Sequence, residues 1–66
     1  MKNLSNILES ILFVSGNPVL ISDIAEKLGV SEKEVKDAAK DLQDRYAEDG
    51  GIRLLQFNKK LQLSSN

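Results

Sequence analysis

The side chains of this chain that could do chemistry are carboxylates and amines, without imidazoles or thiols. Its 66 residues include ten Asp and Glu, nine Lys and Arg, and neither histidine nor cysteine. This composition excludes disulfides, thiol nucleophiles and the usual zinc or iron–sulfur ligands. The carboxylates fall mainly on helices expected to face solvent, where nothing would raise a pKa for acid–base catalysis. We therefore predict no catalytic residue, no metal site and no cofactor.

Two features of the sequence must be tested for phosphate contact, and the first of them does not fit. Gly50-Gly51 follows a predicted helix and precedes a predicted strand, the reverse of the order in a dinucleotide-binding loop. Arg53, Lys59 and Lys60 make the C-terminal hairpin locally basic, which predicts at most weak, nonspecific phosphate contact. The alternative is that these cations keep the hairpin soluble and protect a sheet edge. The net charge of −1 gives no overall attraction to nucleic acid.

The carboxylates and amines are positioned by secondary-structure elements, and the first of these is an amphipathic helix predicted over residues 3–15. Asn3 or Ser5 is expected to cap its start, and Gly16 is expected to end it. Val14 widens the apolar stripe and Phe13 points away from its centre, so more than one side of the helix should be covered. The stripe has the spacing of one helical face and consists of Leu4, Ile7, Leu8, Ile11 and Leu12.

Two further helices follow, joined by a sharp turn. The first is predicted over Ser22–Leu28, and the small residues Ala25 and Gly29 let it cross the next helix closely, as in a helix-turn-helix. Ser31 and Glu34 form a capping-box pattern, with each residue expected to bond the backbone N–H of the other. The third helix is then predicted from Glu32 to about Glu48. Its inward face is expected to contain Val35, Ala38, Ala39, Leu42 and Tyr46.

Short strands complete the predicted fold. Residues 18–21 could pair as an edge strand, and residues 52–57 form a strand with apolar side chains on both faces. Asn58-Lys59 is a plausible two-residue turn, since Asn tolerates positive φ, and a return strand follows. We predict a single α+β domain over residues 1–66. Its architecture is a winged helix-turn-helix: three helices, a short edge strand and a C-terminal β-hairpin wing.

The third helix has the wrong charge for a DNA reader. Residues 31–49 contain seven acids and four bases, and the first two turns offer no Arg, Asn or Gln to contact base edges. Phosphates would repel such a helix if it entered the major groove. We expect its charges to form a solvated face with ion pairs such as Glu32–Lys36.

The chain has more apolar surface than a three-helix core can cover. A domain this small without disulfides or metal ligands usually needs a partner for stability, and exposed apolar patches mark interaction sites. The alternative is that Phe13 folds under the Pro18 turn and Phe57 covers the base of the wing. The candidate protein interface consists of Leu4, Ile7, Ile11, Phe13, Val14, Leu55 and Phe57.

Three segments resemble segregation and condensation protein B, a bacterial condensin accessory subunit. They are LESILFVSGNPV at residues 8–19, IAEKLG at 24–29 and GIRL at 51–54. The resemblance implies a non-enzymatic protein of two winged-helix domains that homodimerises, chiefly through its N-terminal domain. It also implies binding to the kleisin subunit, segregation and condensation protein A, which bridges the SMC ATPase heads in chromosome condensation and segregation.

Two departures from that family stand out. A second winged-helix domain is missing, so we expect this chain to be the N-terminal domain of a longer protein. Leu20 stands where a polar cap would precede the second helix, which leaves the start of that helix open.

The longest apolar run, Ile11–Val14, is too short to span a membrane, and we expect a cytoplasmic, nucleoid-associated protein. The alternative function is a winged-helix transcriptional regulator that binds DNA.

Overall fold

Three helices and a three-stranded sheet form the structure. The computed structural model describes residues 4–65, apart from the side chains of Asp49 and Ser65. The elements are α1 (Leu4–Ser15), β1 (Val19–Leu20), α2 (Ile21–Leu28), α3 (Glu32–Asp49), β2 (Ile52–Phe57) and β3 (Lys60–Ser65). The predicted α+β winged helix-turn-helix is confirmed. Asn3, a predicted cap of the first helix, lies outside the described residues.

The hairpin strand β3 lies in the centre of the sheet. The strand order is β1-β3-β2 and both pairings are antiparallel. Val19 pairs with Leu61 from one side and Gln56 pairs with Leu61 from the other. The predicted edge strand is therefore present, but it covers only Val19–Leu20.

The core lies between the helices and the inner face of this sheet. Each helix contributes one stripe and the sheet contributes two leucines, in agreement with the inward face predicted for α3. Leu8, Leu42 and Leu61 have no exposed surface, and no polar side chain among the described residues is buried with them. The buried residues are Leu4, Leu8, Leu12, Ile21, Ile24, Ala25, Val35, Ala38, Ala39, Leu42, Tyr46, Leu54 and Leu61.

The start of α2 is fixed by the hairpin turn and not by a capping side chain. Leu20 occupies the N-cap position with an extended backbone and makes no side-chain cap. The backbone N–H of Ile21 instead donates to the carbonyl oxygen of Lys59 at 2.9 Å. Because this bond replaces the missing cap, α2 begins one residue earlier than predicted, and Ile21 is buried in the core instead of ending β1.

At the helix-turn-helix junction, the C-terminus of α2 and the N-terminus of α3 are both capped. Gly29 adopts a left-handed φ of 68°, and the N–H groups of Gly29 and Val30 donate to Glu26 and Ala25, a Schellman motif. Ser31 caps α3 by accepting from the N–H of Glu34 at 3.1 Å. The reciprocal half of the predicted capping box differs, because Glu34 Oε1 accepts from the Ser31 hydroxyl at 3.4 Å and not from its backbone.

Polar contacts join α1 to α3 along the rim of the core. The Tyr46 hydroxyl donates to Glu9 Oε2, and the Arg45 guanidinium reaches both Asn6 Oδ1 at 3.2 Å and Ser5 Oγ at 3.3 Å. The pKa of Tyr46 lies far above its ordinary value. Burial of the ring is the largest cause, and the hydrogen bond to Glu9 and the negative charge of Glu9 raise the pKa further. The hydroxyl therefore stays protonated in the folded chain at pH values where an unfolded tyrosine ionises.

Tyr46→Phe is expected to lower the free energy of unfolding by about 1 kcal/mol near neutral pH, because a partly buried hydrogen bond is lost. Above pH about 10 the unfolded wild-type chain loses the tyrosine proton while the folded chain keeps it. The wild-type advantage over Tyr46→Phe should therefore shrink as pH rises through that range. Urea unfolding at several pH values measures this, and an advantage that grows above pH about 10 would contradict the assignment.

The hairpin turn generates a second stability prediction. Asn58 and Lys59 have φ values of 49° and 62°, the double left-handed conformation of a type I′ turn, as the sequence predicted for Asn58. Lys59→Gly removes the left-handed strain of a residue with a Cβ atom and should raise the free energy of unfolding by about 1 kcal/mol or less. The matched control is Lys60→Gly, which lies within β3 and should lower it. Equal effects of the two changes would refute this prediction.

Candidate protein-interaction surface

Large apolar side chains gather on the outer face of the sheet. Lys60 pairs with Leu20 on one side and with Phe57 on the other, so these three residues form one row across the strands. Side chains of directly paired residues lie on the same face of a sheet. This face is opposite the core, because the neighbouring row contains the fully buried Leu61.

The same face continues along β2. Leu55 lies two residues before Phe57, and Arg53 two residues before Leu55, so all three share it. Leu20, Leu55 and Phe57 are 37%, 38% and 43% exposed. We call this surface the outer sheet face. It consists of Leu20, Arg53, Leu55, Phe57, Lys60, Gln62 and Ser64.

Leu20 is the member of this face that sequence reasoning missed. The apolar run Val19-Leu20-Ile21 looked like an edge strand followed by a poorly capped helix. The signal that would have identified Leu20 is alternation: Val19 and Ile21 point inward, so the residue between them points outward. Its neighbours on the face, Lys60 and Phe57, lie about 40 residues later in the chain and are brought beside it by strand pairing. The sequence did not reveal that pairing.

A second apolar surface runs along α1. Ile7, Ile11 and Val14 are spaced by four and three residues and therefore lie on one side of the helix. Ile7 and Ile11 are half-buried, whereas Val14 is 88% exposed. We call these three residues the α1 ridge. It flanks the buried stripe and leaves its C-terminal end open to solvent.

The remaining two candidate interface residues belong to neither surface. Leu4 is only 9% exposed and lies in the core, so it is not accessible in the folded chain. It was grouped with the interface because a helical stripe does not show which of its members the sheet covers. Phe13 is 57% exposed and lines a shallow hollow with Ile52 and Leu63, so it is not folded under the Pro18 turn.

Charge is divided between the two layers of the molecule. All ten acidic residues lie in the three helices, seven of them in α3. The strands and the turn that joins β2 to β3 carry only the cations Arg53, Lys59 and Lys60. The structure places Arg53 and Lys60 on the outer sheet face. Lys59 lies in the turn, where it lines a hollow with Glu32 and Lys36 of α3. Two of the three residues predicted to contact phosphate therefore share one face.

The exposed side of α3 is acidic and solvated, as predicted. Glu32, Glu34 and Asp37 are all exposed in its first two turns, where a DNA-reading helix would need groups that bind bases or phosphates. The predicted Glu32–Lys36 ion pair is not among the contacts of the described side chains. They contain one pair within 4 Å, between Arg45 and Asp41 at 3.3 Å.

One more contact shapes the edge of the sheet. Gln43 of α3 donates its side-chain amide to the Leu54 carbonyl of β2 at 3.3 Å.

Within the described part of the chain, no cluster of acidic side chains could hold a metal ion. None of the three helices there is both long and apolar enough to cross a membrane.

Comparison with known proteins places this geometry in a family. The family model of the segregation and condensation complex subunit ScpB matches residues 6–66. Segregation and condensation protein B of Caldanaerobacter subterraneus subsp. tengcongensis is 37% identical over 60 residues, 89% of this chain and 36% of that protein. The corresponding protein of Clostridium perfringens strain SM101 is 37% identical over 62 residues, 91% of this chain and 32% of that protein. The chain thus spans about a third of the length of these curated relatives.

A solved structure agrees with the sequence relatives. The crystal structure of a dimer of the ScpB N-terminal domain complexed with a ScpA peptide matches with a TM-score of 0.88 at 31% identity. The match covers 98% of this chain and 83% of that one. The family model spans nearly all of the described residues, so the resemblance inferred from sequence is confirmed, and the chain belongs to the ScpB family of segregation and condensation complex subunits.

Proposed function

We propose that this chain is a non-enzymatic protein-interaction module of an SMC–kleisin condensin complex. In this role it forms a homodimer and contributes to binding the kleisin subunit ScpA, and through it the SMC ATPase, in chromosome condensation and segregation. The observation that carries the proposal is the likeness over 98% of the chain to a dimeric ScpB domain with a bound ScpA peptide. The two exposed apolar surfaces are consistent with two such contacts.

The proposal extends to the setting of the domain. Since the curated relatives are about three times as long as the matched segment, this chain corresponds to the N-terminal domain of a two-domain protein. A condensin subunit acts on the chromosome, which supports a cytoplasmic, nucleoid-associated location.

The α1 ridge is the better of the two surfaces for self-association. A two-fold dimer brings the same patch of both copies together, so a patch with like charges at its centre is disfavoured. The outer sheet face contains Arg53 and Lys60, whereas the α1 ridge itself contains no charged residue. The charged side chains of α2 that line a hollow with Ile11, namely Asp23, Glu26 and Lys27, are of both signs and can pair across a two-fold axis. Ridges of residues four apart also pack well against each other between two helices.

Val14→Lys is expected to raise the dimer dissociation constant at least about tenfold, because an unpaired ammonium would be buried within the interface. Val14 is 88% exposed, so the change should leave the fold intact. Sedimentation equilibrium over micromolar concentrations measures the effect.

The matched control is Ala47→Lys, which adds the same charge at an exposed position of α3 away from the α1 ridge. It should dimerise like the wild type. A wild-type chain that stays monomeric would argue against the homodimer itself. A dimer insensitive to Val14→Lys would place the contact on another surface.

Nonspecific duplex DNA is expected to bind weakly and only at low salt. With three cations on the sheet side, the slope of log affinity against log salt should be no steeper than about −3. Anisotropy titration of a labelled random duplex tests this, with Arg53→Gln reducing the slope and Lys33→Gln of α3 leaving it unchanged. Tight, sequence-dependent binding lost on Lys33→Gln would instead support the transcriptional regulator.

A further inference from the structure

We infer that the outer sheet face binds an acidic peptide segment that inserts an apolar side chain between Leu20 and Phe57. The inference rests on the proposed function, because it names the chemistry of the peptide and the surface that holds it. It follows from one juxtaposition: the largest group of exposed apolar side chains lies on the one layer of the molecule that carries no carboxylate.

The row across the three strands has the form of a shallow receptor. Leu20 and Phe57 lie on either side of Lys60, about 10 Å apart across two strand spacings. Lys60 is half-buried between them, so its methylene stem forms an apolar floor while its ammonium remains free for an anion. A leucine or phenylalanine of a bound segment fits between these walls.

The cations define what must flank that apolar side chain. Arg53 lies on the same face two positions along β2 from Leu55, and Lys59 is exposed at the turn. The cations therefore lie at both ends of the apolar group. The sheet itself contains no acid, and the one acid that lines a hollow with Lys59 and Phe57, Glu32 of α3, is accompanied there by Lys36. The complementary ligand has carboxylates before and after its apolar residue, about two or three positions away.

This arrangement favours a peptide over a nucleic acid. A phosphate backbone has no apolar group to cover Leu20, Leu55 and Phe57, and three cations neutralise too few phosphates for firm binding. A duplex large enough to reach all three would also approach the acidic helices. A short acidic peptide can use both the cations and the apolar walls, since its own anchor can be a large apolar side chain.

A peptide is also favoured over the acidic α3 of a second copy. That contact would join two different surfaces of the molecule. Such head-to-tail contacts generate open chains of copies, unless the rotation between successive copies produces a closed ring. The structural relative is a dimer complexed with a ScpA peptide, and not an open chain of copies. The outer sheet face is therefore assigned to the peptide and the α1 ridge to the second copy.

The test uses the full 66-residue chain and two kinds of labelled probe. The first is a tiled peptide set covering a ScpA sequence. The second is a designed peptide with a single leucine and with glutamates two and three positions before and after it. We expect binding by acidic tiles that contain a leucine or phenylalanine, weakened when their carboxylates are changed to amides. Anisotropy gives affinities, and backbone NMR shifts should map the contact to β1, β2 and β3.

The decisive variants are a matched phenylalanine pair. Phe57→Thr should weaken binding at least about tenfold, while Phe13→Thr removes an equally large exposed ring and should leave affinity unchanged. Arg53→Gln, at an exposed position, should weaken binding about threefold and flatten its salt dependence without altering the dimer. Val14→Lys should affect dimerisation more than peptide binding.

The outcomes separate this inference from the proposed function. If a tile binds but is insensitive to Phe57→Thr and shifts residues of α1 or α3, ScpA binding holds and this inference fails. If no tile binds, ScpA is the wrong partner, and the designed peptide decides: binding lost on Phe57→Thr supports the inference, and no binding overturns it. Displacement of a bound peptide by random duplex, or growth of the chain into larger assemblies through this face, also overturns it.

Discussion

The burial of Leu61 is the contact on which the rest of the structure depends. This residue lies near the start of β3, the central strand of the sheet, has no exposed surface, and pairs with Val19 on one side and Gln56 on the other. Because β3 is also the return strand of the hairpin, the wing is part of the core and not an appendage to it. A bond from Ile21 to Lys59 then ties the tip of the hairpin to α2. These contacts hold the backbone of the outer sheet face in one arrangement, and a preorganised surface has a lower entropic cost of binding.

The division of charge explains how this chain can have the winged-helix fold without the positively charged recognition helix that binds DNA. The helix that would enter the major groove carries seven acids and four bases, whereas the strands and their turn carry only cations. A fold does not determine function, which resides in the side chains placed on it. Here the cations lie beside large apolar residues, a combination suited to a peptide with carboxylates and an apolar anchor.

Sequence reasoning succeeded where the determining contacts are local. The inward face of α3, the cap at Ser31 and the Asn58-Lys59 turn follow from periodicity, from residues three apart and from conformational preference. It failed where distant segments decide. Ile21 starts α2 because Lys59 supplies an acceptor, and Leu4 is in the core because the other elements cover that end of α1. The apolar excess was visible in the sequence, but its division into the outer sheet face and the α1 ridge required the strand register.

The bond from Gln43 to the Leu54 carbonyl has a further consequence for the size of the sheet. β2 is an outer strand, and an outer strand with free backbone groups is a template onto which a foreign strand can add. Gln43 occupies a carbonyl in the middle of that strand, so an incoming chain would have to displace an amide that α3 holds in place. Addition of a further strand, and with it growth into cross-β aggregates, is therefore hindered at the β2 edge without a proline or a bulge.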